Sequence, residues 1–175
     1  MTLRRLTPLI LNTYALLTLY TLISLLVGIP YHPFFTTLFA LLGFNFALLH
    51  GSQHLDWRRT LLLLILNFGI RLLFECVGVA TRWIYGPYHY TDKLGPKFLG
   101  LAPLLILVAW FMMTYPSYVI ARYLVPPTKK LRIWRLSLSA LGAAIMTAWN
   151  LVMNPMMVAG GHWVWEQPWE RLGGS

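Results

Sequence analysis

The sequence predicts an all-α protein, a polytopic transmembrane helix bundle of about five spans with its N-terminus cytoplasmic. Three observations predict it. Of 175 residues, 58% are hydrophobic and only 11% charged, with mean hydropathy +0.62, whereas a soluble domain averages about 25% charged residues. The apolar residues fall in runs close to the roughly 20 residues that cross a bilayer. The cations fall between those runs, a pattern that sets topology. A formal charge of +9 would suit nucleic acid only on the basic face of a soluble fold, so no nucleic acid is expected as a partner.

After Arg4 and Arg5, residues 6–29 form the first expected span. It is too long for a cleavable signal and lacks a small-residue cleavage site, so it reads as a true span. Pro30-Tyr31-His32-Pro33 is a tight turn, because proline cannot continue the helix and restricts the residue before it. The remaining spans are expected over 34–49, 60–80, 98–118 and 136–158, all in a single membrane domain covering 1–175. The polar segment from His50 to Arg59 separates the second span from the third. The longest loop runs from Thr81 to Lys97. With the N-terminus inside, nine cations fall on the inner side (Arg4, Arg5, Arg58, Arg59, Arg122, Lys129, Lys130, Arg132 and Arg135). Four fall outside (Arg82, Lys93, Lys97 and Arg171), which satisfies the positive-inside rule. A multi-pass protein of the cell membrane is the expectation. The lone Cys76 cannot form an internal disulfide.

Charge within a span marks the candidate site. Arg71 and Glu75 lie inside the third span at i, i+4, close enough to form a structural ion pair on one helix face. Intramembrane charges are rare and functional by default. Asn150 and Asn154, also four apart, lie in the outer half of the fifth span. Topology brings them to the depth of Glu75, beside the outer loop Tyr85-Gly-Pro-Tyr-His-Tyr-Thr-Asp-Lys-Leu-Gly-Pro96. The loop tyrosines suit either a site or an interfacial aromatic belt. His162, Trp163, Trp165 and Glu166 suit either a site or an anchor. His89 and Asp92 are possible acid–base groups. His50 and His54, at i, i+4, carry a weak metal signal on the opposite side, and an interfacial helix end is the favoured reading. No Walker loop, nucleophile elbow or zinc pattern occurs. A transporter would show polar residues lining several spans, or paired repeats.

Glu75-Cys-Val-Gly, the outer loop, Ala109-Trp-Phe-Met-Met and Thr147-Ala-Trp-Asn-Leu-Val-Met-Asn-Pro-Met-Met-Val together resemble the membrane carotenoid biosynthesis proteins, typified by the carotenoid 1,2-hydratase and bisanhydrobacterioruberin hydratase. The resemblance covers roughly residues 70–166. It implies cofactor-free, metal-free addition of water across the terminal double bond of a linear carotenoid, giving a tertiary alcohol. Such a step needs a carboxylic acid kept protonated by an apolar setting, an oriented water, and aromatic faces that stabilise a cation. On this reading Glu75, Asn150, Asn154 and Asp92 are catalytic. Tyr88, His89, Tyr90, Trp110, Trp149, His162 and Trp165 bind substrate.

Three departures qualify the resemblance. The family pattern has aspartates where this chain has Asn150 and Asn154, and an amide has no accessible acidic proton. The family usually has a glycine near Arg82. Its members are longer and continue into further spans, so walls completed by other membrane subunits, or by a second copy, are expected. Two readings therefore stay open. One is a hydratase with Glu75 as the surviving acid. The other is a hydratase-derived, non-catalytic subunit that binds carotenoid or packs in a pigment–protein complex.

Overall fold

The computed structural model describes residues 3–29 and 34–166. The Pro30–Pro33 turn and Arg171 lie outside the described residues. Five long helices dominate, all of them long and apolar enough to cross a membrane: α1 (Leu3–Val27), α2 (Phe34–His54), α3 (Trp57–Thr81), α4 (Leu104–Leu124) and α5 (Leu131–Ala159). The bundle expected from hydropathy is the architecture observed. Helices satisfy every backbone donor and acceptor internally, which hydrocarbon cannot do for them.

Helix α4 is the hub. It packs against α2, α3 and α5, while α1 packs on α2. Its Phe111 and Tyr115 are fully buried and meet Ala47 of α2. Close approach of α2 to α4 depends on Gly43, because a Cβ there would collide with the Met112 side chain. In an apolar medium, packing by small residues and interhelical hydrogen bonds carries association. Asn67 Nδ2 of α3 donates to Thr114 Oγ1 of α4 at 2.7 Å.

Several boundaries differ from those read off hydropathy. Helix α2 continues through His54, so His50 and His54 belong to a helix rather than to a polar connection. Helix α4 starts at Leu104 rather than at 98, because a small hairpin, β2 (Lys97–Phe98) with β3 (Ala102–Pro103), occupies the intervening residues. Pro103 caps it in an extended conformation, where its missing N–H is no loss. At the start of α3, the Asp56 side chain accepts from the Arg59 N–H at 3.0 Å.

The outer loop folds back into the bundle. Strand β1 (Tyr88–Tyr90) pairs antiparallel with β4 (Trp163–Trp165), opposing Tyr88 to Trp165 and Tyr90 to Trp163. Thr91 Oγ1 donates to the Gly161 carbonyl at 2.8 Å, and Lys93 Nζ donates to the Gly160 carbonyl at 2.8 Å. Arg82 pairs with Glu166 at 3.1 Å. This strap joins the end of α3 to the end of α5 over one mouth of the bundle, the end expected to face outward.

Candidate functional site

Beneath the strap, α3, α4 and α5 enclose a groove of about 1080 Å³. Its floor is α4, through Ile106, Ala109, Trp110 and Met113, and its walls come from α3 and α5. Glu75, Asn150, Asn154, Tyr88, Tyr90, Trp110 and Trp165 all line this space. These seven of the residues singled out in the sequence therefore meet, from the five elements α3, β1, α4, α5 and β4.

Glu75 is 3% exposed. Its Oε2 accepts from Tyr88 Oη at 2.9 Å and from Tyr90 Oη at 2.7 Å, and its Oε1 accepts from Trp110 Nε1 at 3.2 Å. A buried carboxyl is costly without partners, and here three donors meet it. Both phenols hold Oε2, leaving Oε1 with one long contact. Burial first, and the neighbouring Glu75 second, push the Tyr88 and Tyr90 phenols above their ordinary value, so both remain donors. Tyr90→Phe removes the shorter bond and should lower stability by about 1–3 kcal/mol. Thermal unfolding in detergent checks this, and an unchanged midpoint would show that the bond contributes nothing.

Arg71 does not pair with Glu75 as expected. Among the described residues no ion pair joins them; the guanidinium lies 3.7 Å above the Trp110 ring instead. The i, i+4 spacing puts the two side chains on one face, but phenol donors from the loop take the carboxylate oxygens and the indole face takes the cation. Trp110 thus stands between Arg71 and Glu75, touching each.

Asn154 Oδ1 accepts from Trp163 Nε1 at 3.1 Å, which ties the outer end of α5 to β4. Asn150 faces the groove one turn earlier. Trp163 was not among the expected substrate residues. The signal for it was the alternation Trp163-Val164-Trp165, which in a strand puts both indoles on one side.

The same alternation removes His89. It points away from Tyr88 and Tyr90, is 56% exposed, and lies 3.5 Å from Glu166. Asp92 also stands apart, with a fully exposed side chain paired to Lys97 at 2.9 Å. Trp149, at 44% exposure, does not line the groove, because it sits off the face of α5 that carries Asn150 and Asn154. His162 is buried beneath the strap but is also not a lining residue, and its Nδ1 has no partner. Burial, and then Lys93, hold it below its ordinary value. None of these four lines the groove.

At the opposite end, His50 Nδ1 meets Tyr115 Oη at 2.6 Å, His54 Nδ1 donates to the His50 carbonyl at 2.9 Å, and the two rings stack at 3.9 Å. Among the described residues no group of three or more His, Cys, Asp or Glu side chains gathers to hold a metal.

Residues 35–171 match the family described as carotenoid biosynthesis protein. The chain belongs to that family. It is similar to a bisanhydrobacterioruberin hydratase of Haloarcula japonica, with 32% identity over 144 residues, covering 80% of this chain and 46% of the relative. The chain thus matches somewhat under half the length of that relative. No solved structure matches it. One departure also gains a structural meaning. Arg82 caps α3 in the left-handed conformation, at φ 62°, its N–H bonded to the Gly78 carbonyl. Glycine is the residue such a cap favours, and here the Arg82 side chain is instead paired with Glu166.

Proposed function

We propose that this carotenoid biosynthesis protein adds water to the terminal double bond of a linear carotenoid, with Glu75 as the acid. The observation that carries this reading is a buried carboxyl, held on one oxygen by two phenols, at the end of an apolar groove. The related hydratase supports it.

In this reading Glu75 Oε1 delivers its proton to the less substituted alkene carbon, and the π pair forms the new C–H bond. The tertiary cation left at carbon 1 lies among aromatic faces of the groove, which attract it. Water adds to that carbon and its surplus proton returns to the Glu75 carboxylate. The balance is one alkene plus one water giving one tertiary alcohol. Asn150 and Asn154 hold the water through their amides. No cofactor enters, and the bilayer supplies the substrate.

A second reading rests on the same two asparagines. If their carboxylate counterparts in the family are essential, this chain is a carotenoid-binding, non-catalytic member, alone or with other membrane subunits. Expression in a membrane that contains a linear carotene separates the two. The hydratase reading expects a 1-hydroxy carotenoid by chromatography. Well-folded protein that retains carotene and yields no alcohol would overturn it in favour of the second.

A further inference from the structure

The groove is far longer than the end group that reacts in it. On α5 it is lined from Trp134 to Met157, roughly 35 Å at a rise of about 1.5 Å per residue. The hydrocarbon core of a bilayer is about 30 Å thick. Glu75, Asn150 and Asn154 occupy only the outer end. The stretch below them is lined mainly by apolar side chains, among them Met113, Leu138, Ala143 and Met146, interrupted by Arg71 and the hydroxyls of Thr114, Ser117, Ser139 and Thr147, and the far end meets Trp134 and Arg135. Midway stands Gly142, a lining residue at which an added Cβ would meet nothing within 4 Å. The groove is therefore open at its middle.

We propose that the groove takes one linear polyene lengthwise along α5, across the membrane, with the reacting end at Glu75 and the other end beside Trp134 and Arg135. Gly142 is the specificity-determining position, because it leaves the width through which the chain passes. The identity of the occupant rests on the carotenoid reading above. A phospholipid acyl chain reaches through only one leaflet, about half of the roughly 30 Å core, and so fills half of this groove. A conjugated polyene is stiff and cannot coil into the outer end, so it needs a straight slot as long as itself. Lying lengthwise, it presents one end to Glu75 at a time, and a symmetrical substrate must leave and turn before its second end reacts.

Gly142→Phe tests this. The ring would fill open space, and replacing glycine within a helix favours the helix, so the variant is expected to fold; gel filtration and thermal unfolding check that. Lycopene, an open-chain carotene, is titrated into detergent-purified wild type, Gly142→Ala and Gly142→Phe, with quenching of tryptophan fluorescence by the polyene as the readout. A short terpenoid alkene with the same end group is titrated as a competitor. The expected result is at least tenfold weaker lycopene binding by Gly142→Phe, near-wild-type binding by Gly142→Ala, and an unchanged response to the short alkene. Equal lycopene affinity in all three proteins would overturn the lengthwise placement, as would equal weakening of both ligands, or groove-bound phospholipid that lycopene does not displace. If lycopene binding falls as expected but no protein forms an alcohol, the placement stands and the hydratase reading fails.

Discussion

Glu75→Gln is expected to lower hydration of a linear carotene by at least about a hundredfold while the bundle still folds. A positioned acid contributes roughly 10²–10⁴ in rate, and an amide cannot replace it. The substitution is close to isosteric, and the amide oxygen can keep the two phenol bonds now made to Oε2. Its NH₂ would then face the Trp110 N–H now bonded to Oε1. Two donors facing each other in a buried place cost about 1–3 kcal/mol, so a lower unfolding midpoint should accompany the lost activity. Glu75→Asp keeps the acid but withdraws it by one methylene, and should retain part of the turnover. Product per folded protein, measured by chromatography from membranes, is the readout. Wild-type turnover in Glu75→Gln would remove Glu75 from the chemistry.

Asn150→Asp combined with Asn154→Asp should raise turnover, by about a hundredfold if the carboxyls act in proton transfer. Both positions already line the groove, so new acids there would face its interior. At 154 the change suits the structure. The oxygen that accepts from Trp163 Nε1 remains an acceptor, and an ionised oxygen strengthens such a bond. If Glu75→Gln in this double-substituted background is again inactive, the acid at 75 is needed in both forms. Turnover equal to that of the wild type would count against the asparagines as the limiting feature, and no turnover in either protein would favour the non-catalytic reading.

The two predictions differ in how much of their basis was legible in the sequence. Glu75 was visible because a carboxylate in an apolar run is rare, and Asn150 with Asn154 because two amides at i, i+4 share a helical face. Those signals are local. The partner of Glu75 was read wrongly because Arg71, one helical turn away, is the nearest candidate along the chain, and reach alone does not decide among competitors. Tyr88 and Tyr90 won the carboxylate, and Trp110 won the cation. His89 looked as good as the tyrosines on either side of it until strand alternation turned it outward.

By itself, the sequence determined the helical bundle, the approximate spans and the residues worth suspecting. Hydrocarbon leaves the backbone no partner but itself and charges few places to hide, so both signals survive in one dimension. Only the tertiary structure decided how the site is assembled. Pairing of Tyr88 with Trp165 joins residues far apart in the chain, and no local propensity specifies such a register. That strap sets both phenols on Glu75 and the indole of Trp163 on Asn154, closing the outer end of the groove. Asp92, four residues from Tyr88, was left exposed beside Lys97. Contacts chosen in competition between elements, rather than spacing along one of them, made the difference.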